Sequence, residues 1–306
     1  MACSLTLCLR PKTHEEALHK IKKYFKGIFF NVIIFYYRVL IYAIAVFDTQ
    51  TAAAKAISIF KIPRAGRPNK SQKLFLDAHF EGYTSSGKTK IAHYRWPGPG
   101  KKILLAHGWE SNSARWTPYI PGIQDLGFDI YALDAPAHGL SEGREFTPEI
   151  YADAIESIAT EKKIDIIIGH SVGAYSALIY AHRNRINETV KSLVLLAPTG
   201  RIRDFIEKTF QMFKLKESVR QAYFNGFEEL YKHELSYYDS DNLIKSVRQP
   251  GLLIHDKKDR TLPYADSVHI AENWPNARFI TTEGFGHRLR SSIVIQHILD
   301  YLREIR

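Results

Sequence analysis

Residues Gly169-His170-Ser171-Val172-Gly173 spell G-x-S-x-G, and their surroundings give the pattern chemical meaning. The apolar run Ile164–Ile168 precedes the motif, and the helical pattern Val172–Arg183 follows it. A strand, a sharp turn and a helix in that order expose a serine hydroxyl at the end of a sheet. Gly169 and Gly173 permit the tight turn and the close approach of strand to helix. The helix N-terminus behind Ser171 also favours developing negative charge. Serine is a poor nucleophile at neutral pH until a base removes its proton. An ordinary glycine-rich strand-to-helix turn carries the same five letters, so partners for Ser171 must be sought elsewhere in the chain.

The elements that would position such partners alternate. From about residue 72, short β-type apolar runs and helical patterns follow one another, as in an α/β fold with a mostly parallel sheet and flanking helices. Strands are predicted at Ile91–Trp96, Lys102–Ala106, Phe128–Leu133, Ile164–Ile168, Ser192–Ala197, Gly251–His255 and Arg278–Thr281. Helices are predicted near Ser113–Leu126, over Thr147–Glu161 with Thr147 as N-cap and Pro148 first inside, over Val172–Arg183, near Pro263–Asn273, and from Ile293. The runs are about five residues long and continuously apolar, as strands covered on both faces require.

With this frame the sequence resembles the α/β-hydrolase family, and further motifs fall in that family's order. His107-Gly108-Trp109 follows the strand ending at Ala106 and is similar to the family's oxyanion loop. The resemblance implies that the backbone N–H groups of Trp109 and Val172 form the oxyanion hole. Asp134-Ala135-Pro136-Ala137-His138-Gly139-Leu140-Ser141 is similar to the D-x-x-G-H-G-x-S loop, with Ala137 in place of a glycine. That loop is read as structural. His255-Asp256-Lys257-Lys258-Asp259 resembles the turn carrying the family's acid, which maps onto Asp259, with Asp256 as a second carboxylate nearby. His287, in Gly284-Phe285-Gly286-His287 after the last strand, matches the catalytic histidine. The resemblance thus implies a triad Ser171, Asp259 and His287, acting through an acyl-enzyme without metal or organic cofactor.

Composition bounds the remaining possibilities. The chain has 306 residues, and its two cysteines, Cys3 and Cys8, exclude a disulfide framework and a cysteine-based zinc site. The net charge of +10 is uneven: residues 1–72 hold 12 Lys/Arg against 3 Asp/Glu, and residues 73–306 hold 30 against 29. A nucleic-acid groove needs its positive charge on the folded body, so no nucleic-acid partner is expected.

The N-terminal segment 1–72 contains a 20-residue apolar run, 28–47, long enough as a helix to span about 30 Å. Thirteen Leu, Ile, Phe or Val residues favour insertion, and Arg38 near the middle opposes it by about 2.5 to 3.5 kcal/mol. Three arrangements compete: a spanning anchor, an interfacial helix holding acidic lipid through Lys20, Lys22, Lys23 and Lys26, and a helix packed on protein. Membrane association is the expectation, with a cytoplasmic location as the alternative. Arg64–Lys70, rich in Pro and Gly, reads as a linker into an α/β-hydrolase domain at 73–306.

About 50 residues, 199–249, interrupt the alternation where this family carries a cap, after its sixth strand. They hold Phe205, Phe210, Phe213, Tyr223, Phe224, Phe227, Tyr231, Tyr237 and Tyr238. Aromatics at helical spacing pack helices together, and some would line an apolar acyl pocket with Trp109 and Trp116. The expectation is a serine hydrolase of lipid-like or small acyl carboxylic esters, most like the monoacylglycerol lipase and carboxylesterase-like members. A thioesterase or acyltransferase on the same triad, and a non-catalytic membrane-associated scaffold, are the alternatives.

Overall fold

The computed structural model describes residues 31–185, 189–231 and 234–306. Cys3, Cys8, the four lysines 20, 22, 23 and 26, and residues 28–30 of the apolar run lie outside the described residues, as do the side chains of Phe205 and Tyr231. The chain divides into two compact units, one of residues through Ile57 with Glu207–Phe227, the other of Ser58–Ile206 with Glu228–Arg306.

The second unit is built on eight strands. They are β1 Phe80–Ser86, β2 Thr89–Trp96, β3 Lys102–Ala106, β4 Asp129–Leu133, β5 Ile166–His170, β6 Ser192–Leu196, β7 Gly251–Asp256 and β8 Ala277–Thr282. Their order in the sheet is β1-β2-β4-β3-β5-β6-β7-β8. The β1–β2 and β2–β4 pairs are antiparallel, and every pair from β4 to β8 is parallel. This is the α/β-hydrolase arrangement. Strands β4 to β7 are buried along their whole length, which explains their unbroken apolar sequences. By contrast β1 is mostly exposed and antiparallel, so it has no apolar run and leaves no signal of the predicted kind.

Helices α5 Pro148–Lys162 and α6 Val172–Arg183, and the later helices Tyr264–Glu272 and Ser292–Ile305, follow the predicted ones closely. Thr147 caps α5, its Oγ1 accepting from the Ile150 N–H at 3.2 Å. The helix expected near Ser113–Leu126 is instead a 3₁₀ turn, Ser113–Trp116, and a short helix α4, Ile120–Asp125. Pro118 between them lacks an N–H, which rules out a continuous hydrogen-bonded helix. Segment 64–70, expected as a linker, is fastened to the body instead. Arg64 Nε lies 3.1 Å from Glu110 Oε1, and the Gly66 carbonyl accepts from the Asn112 side chain and the Gly139 N–H, both at 3.2 Å. The capped helix α3, Lys70–Asp77, follows it.

The first unit contains a helix α1 over residues 31–45, the helix α2 Thr49–Phe60 as far as Ile57, and residues 207–227. Among the described residues no helix is long and apolar enough to cross a membrane. Tyr42 donates its hydroxyl to the Lys214 carbonyl, and the Lys216 ammonium lies 5.5 Å from the Tyr42 ring centroid. Phe210 meets Tyr223 and Phe224 edge-on at 5.3 and 5.5 Å, so these aromatics pack helix on helix.

One buried carboxylate organises the loops at the strand ends. Asp134 is fully buried just beyond β4. It accepts from Ser113 N–H (2.8 Å), Ser113 Oγ (2.7 Å), Tyr94 OH (2.7 Å) and Leu140 N–H (2.9 Å). It therefore ties β2, the loop after β3 and its own loop together. Replacing Asp134 by Ala strands several of these buried donors at once. Urea unfolding should show a loss of about 3 to 5 kcal/mol for Asp134→Ala, against about 1 kcal/mol for Tyr94→Phe, which removes one bond.

Candidate active site

Ser171 lies between the C-terminal end of β5 and the start of α6, with φ 56° and ψ −124°. Its N–H donates to the Leu196 carbonyl at 2.8 Å, so the strained residue is tied to β6. A Cβ on Gly173 would stand 2.4 Å from both the Ala106 and His107 carbonyl oxygens, and one on Gly169 would stand 2.5 Å from Ala174 Cα. No side chain fits at either place. The two glycines are required by contact.

His287 reaches this serine from the loop after β8. Its Nε2 lies 3.1 Å from Ser171 Oγ, and its Nδ1 lies 2.7 Å from Asp259 Oδ2. A carboxylate only accepts, so Nδ1 carries the proton and Nε2 is free to accept from the serine hydroxyl. Asp259 is wholly buried at its side chain, and His287 is 18% exposed. The three residues expected from sequence thus stand in hydrogen-bonding sequence. That geometry suits proton removal from Ser171 with the imidazolium held by Asp259.

The surroundings of Asp259 explain its charge state. Burial would raise its pKa, but donors from His255, His287 and the N–H groups of Thr261 and Leu262 hold it well below the usual carboxylate range. His255 was expected only as part of the turn; its Nε2 lies 3.1 Å from Asp259 Oδ2 while its Nδ1 meets Ser267 Oγ at 2.6 Å. The second carboxylate, Asp256, faces elsewhere. It accepts from Thr282 Oγ1 (2.9 Å), Gly284 N–H (3.2 Å) and Phe285 N–H (2.9 Å), and so anchors the start of the loop that carries His287.

The far side of that loop is held by its carbonyls. The His287 carbonyl accepts from His170 Nε2 (2.8 Å), that of Arg288 from Arg115 Nη2 (2.9 Å), and that of Leu289 from the Tyr119 hydroxyl (2.8 Å). Burial first, then the positive charge of Arg115, pushes the His170 pKa well below its ordinary value, so this ring is neutral. Sequence reading passed over His170, Arg115 and Tyr119. The only signal was the position of His170 inside the serine motif.

The loop after β3 runs beside the serine. A Cβ on Gly108 would lie 3.2 Å from Ser171 Cβ. This sets the backbone next to Trp109 close to the serine, and Val172, first in α6, has an N–H with no intrahelical acceptor. The Trp109 ring is half-buried among Phe60, His138 and Phe146, at centroid distances of 5.8, 5.5 and 5.0 Å. Trp116, expected in an acyl pocket, belongs to the core instead. The 3₁₀ turn directs its ring inward against Tyr119, and no part of it is exposed. His138 is structural, its Nδ1 donating to the Pro136 carbonyl at 2.9 Å and its Nε2 accepting from the Glu110 N–H at 3.0 Å. Ala137 adopts φ 63°, the left-handed conformation for which the family uses glycine. Among the described residues no group of three or more His, Cys, Asp or Glu side chains is placed to hold a metal ion.

Because Asp259 is held as a carboxylate by the fold, it contributes stability that is complete above its unfolded pKa of about 4 and is lost as pH falls through and below that value. Asp259→Asn should remove this dependence. The drop in melting temperature between pH 6 and pH 3.5 is expected to be smaller in Asp259→Asn than in the wild type.

Known proteins agree with this architecture. The family model for the alpha/beta hydrolase fold matches residues 101–235. A pimeloyl-[acyl-carrier protein] methyl ester esterase from Xanthomonas campestris is 21% identical over 230 residues, covering 62% of this chain and 89% of that relative. Among solved structures, an esterase from Exiguobacterium antarcticum superimposes with a TM-score of 0.55 at 19% identity, over 74% of this chain and 98% of its own. A meta-cleavage product hydrolase from Pseudomonas fluorescens does so with a TM-score of 0.56 at 18% identity, over 74% and 99%. Its sheet order, its strand-to-helix serine turn and these likenesses together give the chain the α/β-hydrolase fold, with residues 101–235 similar to that family's model.

Proposed function

We propose that this protein is a serine hydrolase that cleaves carboxylic esters through an acyl-enzyme on Ser171. The observation that carries this reading is the unbroken line Ser171 Oγ, His287 Nε2, His287 Nδ1, Asp259 Oδ2, with spacings of 3.1 and 2.7 Å at its two hydrogen bonds. In the first step His287 takes the hydroxyl proton as Ser171 Oγ bonds to the ester carbonyl carbon. The resulting oxyanion is received by the N–H groups of Trp109 and Val172, and losing one such donor costs about 10²- to 10³-fold in kcat. The imidazolium then protonates the leaving alcohol. Water, deprotonated by the same imidazole, releases the acid and restores Ser171. The Xanthomonas relative, named for a methyl ester, supports the choice of a carboxylic ester. A fluorophosphonate probe should label the wild type and leave Ser171→Ala and His287→Ala unlabelled. Hydrolysis of p-nitrophenyl esters should fall by about 10⁴- to 10⁶-fold in both variants. A folded wild type that neither labels nor turns over these esters favours the scaffold alternative.

We further propose that α1 lies on an anionic membrane surface. Val32, Phe35, Tyr36 and Val39 are 51 to 63% exposed and recur at helical spacing along one face of α1, and Val46 and Phe47 just beyond its end are 76 and 91% exposed. The net +9 of residues 1–72 complements acidic headgroups, and Arg38 in the middle of the apolar run favours lying on the surface over spanning. The full chain should sediment with phosphatidylglycerol-containing vesicles, and more weakly with pure phosphatidylcholine ones. Phe35→Glu combined with Val39→Glu should abolish sedimentation. Loss of a dimer in that variant, without any vesicle binding by the wild type, assigns the face to a second copy instead.

A further inference from the structure

Arg115 is an unusual residue to find in the 3₁₀ turn after β3. Its side chain is buried, with 5% exposure for the residue as a whole. A guanidinium offers five N–H donors and stays cationic in proteins, so burial normally demands an acidic partner. Here one donor, on Nη2, is taken by the Arg288 carbonyl, and Nε is buried with no acceptor. The neighbouring charges are of the same sign. Burial, opposed by Tyr119 and reinforced by Arg290 and Arg288, pushes the Arg115 pKa down to about 10. Arg290 approaches closely enough for its Nη2 to lie 3.4 Å from the Arg115 carbonyl. Among the described residues no carboxylate pairs with Arg115, Arg288 or Arg290.

This convergence of like charges stands next to the reacting groups. Arg288 directly follows His287, one peptide or about 3.8 Å away along the chain. Leu289 between the two outer arginines is buried at φ 50° and hydrogen-bonded through its carbonyl to Tyr119, which fixes the loop that presents them. Arg288 and Arg290 are exposed, so a ligand from solvent has access to both. Fork-shaped guanidinium donors match the paired oxygens of carboxylate and phosphate.

We propose that Arg115, Arg288 and Arg290 form a subsite for an oxyanion, carboxylate or phosphate, carried on the non-reacting part of the ester substrate. This rests on the hydrolase reading and narrows it to anionic esters. Arg115 fixes the floor of the subsite through its bond to the Arg288 carbonyl, and the two exposed arginines close on the ligand. The subsite binds and orients the substrate and takes no part in bond making.

Two esters of matched length test it: mono-p-nitrophenyl adipate, which carries a free carboxylate, and neutral p-nitrophenyl hexanoate. The wild type should favour the anionic ester at least tenfold in kcat/KM, mainly through KM, and added salt should erode that ratio. Arg288→Gln and Arg290→Gln should each reduce the ratio at least fivefold. In Ser171→Ala protein, inorganic phosphate should raise the melting temperature, and Arg290→Gln in the same background should abolish the rise. Equal kcat/KM for the two esters in the wild type overturns the subsite, whether or not phosphate binds, since an anion held there is then no part of the substrate. If no ester is turned over at all, the hydrolase reading fails. Binding of free adipate and phosphate to the Ser171→Ala protein then decides the anion site by itself, and absence of any shift overturns it.

Discussion

A serine hydroxyl can stand clear of a buried parallel strand only where the backbone reverses within a residue or two, and that reversal sets the terms for the rest of this molecule. Ser171 takes φ 56° and ψ −124°, a conformation costing of order 1 to 3 kcal/mol for a residue with a side chain. The cost is sustained because its N–H is bonded to Leu196 and because α6 packs directly against the end of β3. Gly173 makes that contact against the carbonyls of Ala106 and His107. One consequence is that the loop after β3 starts at the serine and runs alongside it. The candidate oxyanion donors therefore come from the same packing that permits the turn.

The other two members of the line arrive from much farther along the chain, and positioning them is a matter of fastening loops. Asp259 is fixed by the backbone N–H groups of Thr261 and Leu262 and by His255, itself bonded to Ser267. The His287 loop is fastened at its start by Asp256 and, from His287 to Leu289, by His170, Arg115 and Tyr119. These holders come from β7, from the serine turn and from the segment after β3. Each is a buried or half-buried side chain bonded to main chain, which restrains a loop without requiring any particular sequence in it. Alignment of groups that would otherwise have to meet by chance is thereby achieved in the folded state, where it is most effective for the proposed reaction.

Much of this was legible before the structure. The parallel strands announce themselves by apolar runs because both faces are covered. Ser171, Asp259 and His287 stand at strand ends in the order that the resemblance implies, and the fold brings them together. What was illegible has physical causes. Strand β1 is exposed and antiparallel, so burial did not select its residues. Strand β5 runs Ile166–His170 instead of beginning at Ile164, because the Asp165 carboxylate accepts from the Lys102 N–H and pairing with β6 starts at Ile166. Trp116 was placed in a pocket on its residue type alone, and the 3₁₀ turn sends it inward. The holders of the His287 loop leave no mark at all, since a side chain that bonds a distant carbonyl has no characteristic spacing.

The same polar groups divide the site electrostatically. Asp259 already receives donors from two imidazoles and two backbone N–H groups. It is saturated and cannot also serve as counter-ion to the arginines on the other side of His287. Its negative charge favours the imidazolium that forms when Ser171 loses its proton, whereas the guanidinium of Arg115 acts on His170, which it helps burial to keep neutral. A substrate bringing its own negative charge to the arginines would supply the counter-ion that the fold does not. An uncharged ester supplies none, so in the proposed subsite the discrimination between the two is made in binding.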